Sequence, residues 1–275
     1  MVGKRGLGQL GLLVAALPWA ALLAGAITVS GCATPQAEPT QDSVVTEFDE
    51  PEARKRARIR MELAVGYFEK GMTNIALDEL KKVIAIDPSY ADAYNLRGLI
   101  YMQLNDARLA EESFRRAVAL NPRDANTLHN LGWLQCQQRR FDDADQTFQQ
   151  ALGNPLYPER AKTLMAQGLC QARAGKSEVA ERTLAKAYEL DAGNAIVGYN
   201  LANLLFARGD MPRAQFYIRR LNNSELANAE SLWLGIKVER KLGDKLAMAQ
   251  LADQLKKRFP RSREMTSFEK GSFDE

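Results

Sequence analysis

The chain has little of what catalytic and metal sites are built from, with a single histidine and three cysteines among 275 residues. His129 stands seven residues before Cys136, and Cys170 follows 34 residues later. That spacing matches no zinc pattern, no carboxylate is placed to complete a site, and a Cys–His nucleophile is equally poorly supported. No glycine-rich phosphate loop is present either. We therefore expect no enzyme, no metal and no cofactor.

A strong excess of one charge is also missing. The whole protein has 37 basic and 34 acidic residues, and Lys4 and Arg5 belong to an N-terminal leader that we expect to be removed. The remaining body would then carry a formal charge of +1, because 35 basic residues face 34 acidic ones. This balance favours neither nucleic acid nor a polybasic membrane patch as a partner, and nothing indicates a small-molecule substrate.

The one long apolar run lies at the N-terminus. Lys4 and Arg5 precede residues 10–27, which are rich in leucine, alanine and valine, and small residues then lead to Cys32. This order is typical of a secretory signal, predicted at 1–31, although an uncleaved N-terminal anchor is the alternative. Residues 29–32, VSGC, resemble the bacterial lipobox, which implies cleavage before Cys32 and lipidation of that cysteine. Ala33 stands where retention in the inner membrane usually shows aspartate, so we expect an outer-membrane anchor with the body in the periplasm.

A polar segment separates the lipid site from the body. Residues 33–56 mix proline, glutamine, threonine and acidic residues without any apolar period. We therefore interpret 32–56 as lipidated Cys32 followed by a disordered tether. About 20 flexible residues give a root-mean-square reach of roughly 25 Å, which would let the body search for a neighbour beneath the membrane.

From Ala57 onward the sequence repeats every 34 residues. This is the period of the tetratricopeptide repeat, a helix–turn–helix unit, so we predict an all-α superhelix (an α-solenoid) whose first helices line the concave face. Small residues recur where helices must approach closely, and Gly, Asn or Arg-Arg pairs mark the turn inside each unit. The predicted units are 57–90, 91–124, 125–158, 161–194, 195–228 and 229–262, followed by a C-terminal tail at 263–275.

In the repeat family the groove-facing places are fixed within each unit, so candidate partner-binding residues follow from the register. The first three units give Met61, Val65, Phe68, Asn95, Leu99, Met102, His129 and Trp133. A continuous row of methionine and aromatic side chains predicts that a partner covers it, although any single one could instead pack between units. Over the groove-facing places of the first five units only one lysine and three asparagines are scattered, Lys162, Asn95, Asn126 and Asn203, so we do not expect the groove to read carboxylates.

Two cysteines remain once Cys32 carries lipid. Cys136 and Cys170 occupy nearly matching places in adjacent units, and the expected compartment is oxidising. The sequence leaves two alternatives open, a disulfide or two buried thiols, because neighbouring helices can hold the Cα atoms beyond bridging distance.

Three stretches carry a more specific resemblance: residues 130–175, 231–244 and 258–262 are similar to the type IV pilus biogenesis and stability lipoproteins, the pilotins. The resemblance covers the order of lipid cysteine, tether and six repeats. It implies an outer-membrane lipoprotein that binds the pilus secretin and promotes its localisation and multimer assembly. Repeat lipoproteins that scaffold cell-wall hydrolases, or that belong to the barrel-insertion machine, are the alternatives.

Overall fold

The computed structural model describes residues 51–273, and this part of the protein is entirely helical, with thirteen α-helices and no strand. The predicted signal peptide, Cys32 and most of the predicted tether lie outside the described residues. The helices are α1 Glu52–Glu69, α2 Thr73–Ile86, α3 Ala91–Gln103, α4 Ala107–Leu120, α5 Ala125–Gln137, α6 Phe141–Leu152, α7 Arg160–Arg173, α8 Ser177–Leu190, α9 Ala195–Arg208, α10 Met211–Asn222, α11 Ala229–Leu242, α12 Lys245–Arg258 and α13 Arg263–Lys270.

The first twelve helices form successive pairs, each packed most closely within itself, as α1 with α2 and α3 with α4. Each second helix also contacts the first helix of the following pair, as α2 contacts α3. First helices contact one another along the sequence, α1 with α3, α3 with α5, α5 with α7 and α9 with α11. The first helices therefore form an inner row and the second helices an outer one. The predicted all-α tetratricopeptide-repeat superhelix is confirmed.

Each turn inside a pair contains one residue in the left-handed region of the backbone. These residues are Gly71, Asn105, Arg139, Gly175, Gly209 and Gly243, at the places where the sequence predicted the turns. A left-handed residue ends a helix by directing its N–H back to the last carbonyl groups. Three of the second helices begin with an Asp side chain that accepts a backbone N–H, namely Asp106, Asp210 and Asp244. In every pair, a short turn with one left-handed residue thus separates the two helices.

Close approach inside the pairs depends on small residues. Gly98 of α3 lies directly against the fully buried ring of Phe114 in α4, so a Cβ atom at residue 98 would come within 2.5 Å of the ring. Gly168 of α7 meets Leu184 of α8 in the same way, at 2.6 Å. Alanines at the facing places of the second helices, such as Ala110 and Ala144, are fully buried.

We expect Gly98→Ala to destabilise the fold by about 1–3 kcal/mol, because the added methyl group overpacks a rigid contact. Gly66→Ala is the matched control, since Gly66 is also helical and a Cβ there meets nothing within 4 Å. The control should be neutral or gain about 0.5–1 kcal/mol from better helix propensity. Urea unfolding of both variants measures the difference, and equal stabilities would contradict this account of the pairing.

The structure corrects the N-terminal end of the predicted repeat region and shows a helix after its C-terminal end. Helix α1 begins at Glu52 rather than 57, so residues 52–56 are helical and not part of a disordered tether. The reason is tertiary: the Arg54 guanidinium pairs with the Asp87 carboxylate and lies 4.1 Å from the centre of the Tyr90 ring. At the other end, much of the predicted tail forms α13, whose Met265 and Phe268 pack with Trp233 of α11.

Candidate protein-binding groove

The inner row of first helices exposes a continuous strip of partly covered apolar side chains. Six of the predicted groove residues are apolar and half-buried, which means that each is fixed against the core yet keeps an open side: Met61, Val65, Phe68, Leu99, Met102 and Trp133. The first four pack against the buried cluster of the first unit and α3, Met102 packs beside Phe114, and Trp133 packs beside Phe148. Residues spaced by three or four positions lie on the same face of a helix, so the strip runs along α1, α3 and α5.

The predicted groove residue Asn95 is half-buried and links neighbouring units. Its Oδ1 atom accepts a hydrogen bond of 3.0 Å from Nδ2 of Asn130. One side of the amide is thus committed to the fold, while the Asn95 Nδ2 group is left to donate to a backbone carbonyl of a partner.

His129 is the predicted groove residue that the structure places elsewhere. It is only 8% exposed, its ring meets the Phe148 ring edge-on at 6.0 Å, and its Nδ1 lies 2.9 Å from Thr163 Oγ1. The Thr163 hydroxyl also donates a hydrogen bond of 3.2 Å to the Tyr157 hydroxyl. Tyr157 in turn donates to Asn126 Oδ1. His129 therefore ties the third unit to the fourth and is not available to a partner.

The environment of His129 also fixes its charge. Burial, with a smaller contribution from the Lys162 cation, lowers the pKa of His129 to about 4. The imidazole is therefore neutral at pH 7, because burial disfavours its charged form.

Trp133 sits above a covalent link between two first helices. The structure joins Cys136 of α5 and Cys170 of α7 in a disulfide with a Cα–Cα distance of 5.8 Å. The sequence left open a disulfide or two buried thiols, and the structure has the disulfide. Both cysteines are buried with Phe148 beneath Trp133. The Arg173 guanidinium lies 5.1 Å from the Trp133 ring centre, which places a cation at the edge of the apolar strip.

The strip continues into the fifth and sixth units, where it includes a cation as well as aromatic side chains. Tyr199 and Phe206 of α9 are half-buried, and the ninth residue of the sixth unit is Lys237, which was not among the predicted groove residues. Val65, Leu99 and Trp133 are the ninth residues of their own units. Extending the same register by one more unit would therefore have identified Lys237 as a groove residue.

The described residues contain no cluster of metal-ligating side chains. Within residues 51–273 no group of three or more His, Cys, Asp or Glu side chains is placed to hold a metal ion. The thiols of Cys136 and Cys170 are oxidised to the disulfide. Over the same part of the protein, no helix combines the length and the apolar character that crossing a membrane requires.

Comparison with known proteins agrees with the repeat architecture. Family profiles described as TPR repeat and Tetratricopeptide repeat match residues 66–105, 89–154 and 129–195. The sequence is 30% identical over 244 residues to the type IV pilus assembly protein PilF of Pseudomonas aeruginosa, which covers 89% of this chain and 94% of PilF.

Two solved structures are similar along most of their length. The structure of Pseudomonas aeruginosa PilF superimposes with a TM-score of 0.72 at 30% identity, covering 80% of this chain and all of that one. The structure of PilW, described as a widely conserved type IV pilus biogenesis factor, gives a TM-score of 0.69 at 27% identity, covering 78% of this chain and 98% of PilW.

Proposed function

Because this chain belongs to the tetratricopeptide-repeat proteins of type IV pilus biogenesis, we propose that it is an outer-membrane lipoprotein that acts as a pilotin. In this role it binds the pilus secretin through the groove of the first three units and promotes secretin localisation and multimer assembly. Lipid on Cys32 supplies the membrane address, and the polar segment after it supplies the reach. The protein acts by binding rather than by catalysis.

The observation that carries this proposal is the apolar strip on α1, α3 and α5. Methionine and aromatic side chains that are fixed from below and open from above form an adaptable surface, and soluble proteins rarely leave such a surface uncovered. The Asn95 amide adds a donor for the backbone of a partner at one side of the strip. A mostly apolar peptide segment, extended or helical, fits this combination.

Anchoring strengthens a contact of this kind. A secretin ring presents the same segment many times, and several lipid-anchored copies share the membrane plane with it. Confinement raises the effective concentration at each site, so a modest affinity per groove suffices for firm attachment.

The test titrates secretin-derived segments against the wild type and against Phe68→Ala, Met102→Ala and Trp133→Ala. Large aromatic anchors usually dominate binding energy, so Trp133→Ala should weaken binding by about 2 kcal/mol or more. Phe216→Ala is the matched control, because Phe216 is 59% exposed and lies on α10, an outer-row helix. That variant should bind like the wild type.

Circular dichroism of each variant separates loss of contact from loss of fold, since Trp133 also packs on the disulfide. Unchanged binding in all three folded variants would remove the groove of the first three units from the proposal. Pull-down from the cell envelope checks the partner itself: recovery of cell-wall hydrolases or barrel-insertion components in place of secretin would contradict the pilotin role.

A further inference from the structure

The sixth unit holds a cation between aromatic rings in the inner row. Lys237 of α11 is half-buried, with its Nζ atom 5.4 Å from the ring centre of Phe206 in α9 and 5.8 Å from that of Trp233 in α11. The ring faces attract the ammonium group and limit the space it can sample. Its position is therefore set before any ligand arrives.

This ammonium group has no counter-ion in the described part of the protein. No carboxylate among residues 51–273 lies within ion-pair distance of Lys237, and burial alone lowers its pKa below the usual lysine value. Glu239, two residues along α11, is fully buried and accepts hydrogen bonds of 2.6 and 2.9 Å from Arg219 and 2.8 Å from Gln215. A partly desolvated cation without a partner favours an incoming anion.

Helix α13 completes a pocket around the ammonium group. The lining residues are Trp233, Lys237, Arg263, Glu264, Ser267 and Ser272. The lining contains two cations and one carboxylate, and within the described residues no partner accepts from the hydroxyl groups of the two serines. The wall is firm, because Trp233 is 9% exposed and stacks on Phe273 at 5.2 Å.

We propose that this pocket between α11 and α13 binds a carboxylate of a peptide lying in the inner groove. The Lys237 ammonium and the serine hydroxyls would donate hydrogen bonds to it, with the rings of Phe206 and Trp233 excluding water at the sides. The expectation that the groove does not read carboxylates rested on the first five units and does not extend to the sixth. The site is separate from the strip on α1, α3 and α5, so it stands whether or not that strip binds a secretin.

The carboxylate could be the C-terminus of a peptide or the side chain of an acidic residue, and two small probes distinguish these sources. The first is N-acetyl-L-phenylalanine, a terminal carboxylate beside an apolar group, compared with its amide. The second is the α-amide of N-acetyl-L-aspartate, in which the side-chain carboxylate is the only free carboxylate. Binding is measured on the mature protein in detergent by ligand-detected NMR, and by Trp233 fluorescence in a Trp133→Phe variant.

We expect at least one acid to bind, its neutral counterpart to bind at least about tenfold more weakly, and Lys237→Met to weaken the acid by a similar factor. Lys237→Arg should restore much of the affinity, because it keeps the cation. Lys241→Met is the matched control: Lys241 lies one turn along α11, is exposed, and should be dispensable.

The preferred acid identifies the source of the carboxylate, and either preference supports the proposal. Equal binding of the amide and the acid would overturn it. Failure of both acids to bind the wild type would overturn it as well, as would full affinity in Lys237→Met. The Phe68, Met102 and Trp133 variants report on the secretin groove separately, so the two hypotheses can fail independently.

Discussion

Replacing Cys136 and Cys170 together by alanine is expected to lower the free energy of unfolding by about 3–4 kcal/mol. The disulfide links residues 34 apart in sequence, so its loss lets the unfolded polypeptide sample many more conformations. The Cα atoms are 5.8 Å apart, within the range that a bridge spans without backbone movement. Urea unfolding at constant temperature, with and without reductant, measures the difference.

Reductant provides the internal control for this prediction. It should lower the stability of the wild type toward that of the double variant and leave the double variant unchanged. Both sulfur atoms are buried beneath Trp133, so reduction should require partial opening and proceed slowly in the folded state. Two titratable thiols in denatured wild-type protein taken from the periplasm would contradict the bridge.

The sequence predicted the repeat architecture because its signals are local and recur. The two helices of a pair can pack closely only if one place in each helix holds a small residue. Gly98 shows why, because a Cβ atom there would come within 2.5 Å of the Phe114 ring. A turn residue in the left-handed region must recur at the same place, and even Arg139 adopts that conformation where no glycine is available. Each unit needs the same small residues and the same kind of turn residue, so six weak sequence patterns at a fixed period together give a strong signal.

The errors concern residues whose environment is not repeated. The register assigns His129 to the open face of α5, but a hydroxyl at Thr163 in the next unit draws the imidazole into the junction. Helix α1 starts early because Arg54 finds Asp87, a contact 33 residues away. Helix α13 occurs once and covers the end of the solenoid, so the repeat period of the sequence does not predict it. Periodicity predicts which face of a helix a residue lies on. Tertiary contacts that occur only once in the protein determine whether that residue is covered.

The candidate groove was partly predictable for the same reason. Six of the eight predicted residues are apolar, supported from below and open on one side, which is what their shared places within the repeat require. The cation site was missed because the predicted groove stopped at the fifth unit, and because Ser267 and Ser272 come from the unpredicted α13 and the turn after it. Its ligand-binding character depends on that helix and could not be inferred from the repeat alone.

Replacing Cys32 by alanine is expected to remove the protein from the outer-membrane fraction, while residues 51–273 keep their fold. A single acyl group binds membranes only marginally, at roughly 10⁴ M⁻¹, so a firm anchor needs the several acyl groups of a lipidated cysteine. The 37 basic and 34 acidic residues of the protein nearly balance, so its charge offers no electrostatic substitute. Fractionation with immunoblotting should show at least about a 100-fold loss from that membrane, since each further buried CH₂ group contributes about 0.8 kcal/mol.

The Cys136→Ala, Cys170→Ala variant is the control for the Cys32 experiment, because it also removes cysteine but leaves the predicted lipid site intact. It should fractionate with the outer membrane despite its lower stability. The Cys32 variant should in turn keep the helical signal and the unfolding free energy of the wild type, since none of the thirteen described helices includes residue 32. Its presence in the outer membrane at wild-type levels would contradict lipid attachment, and the contact would then have to come from a protein partner.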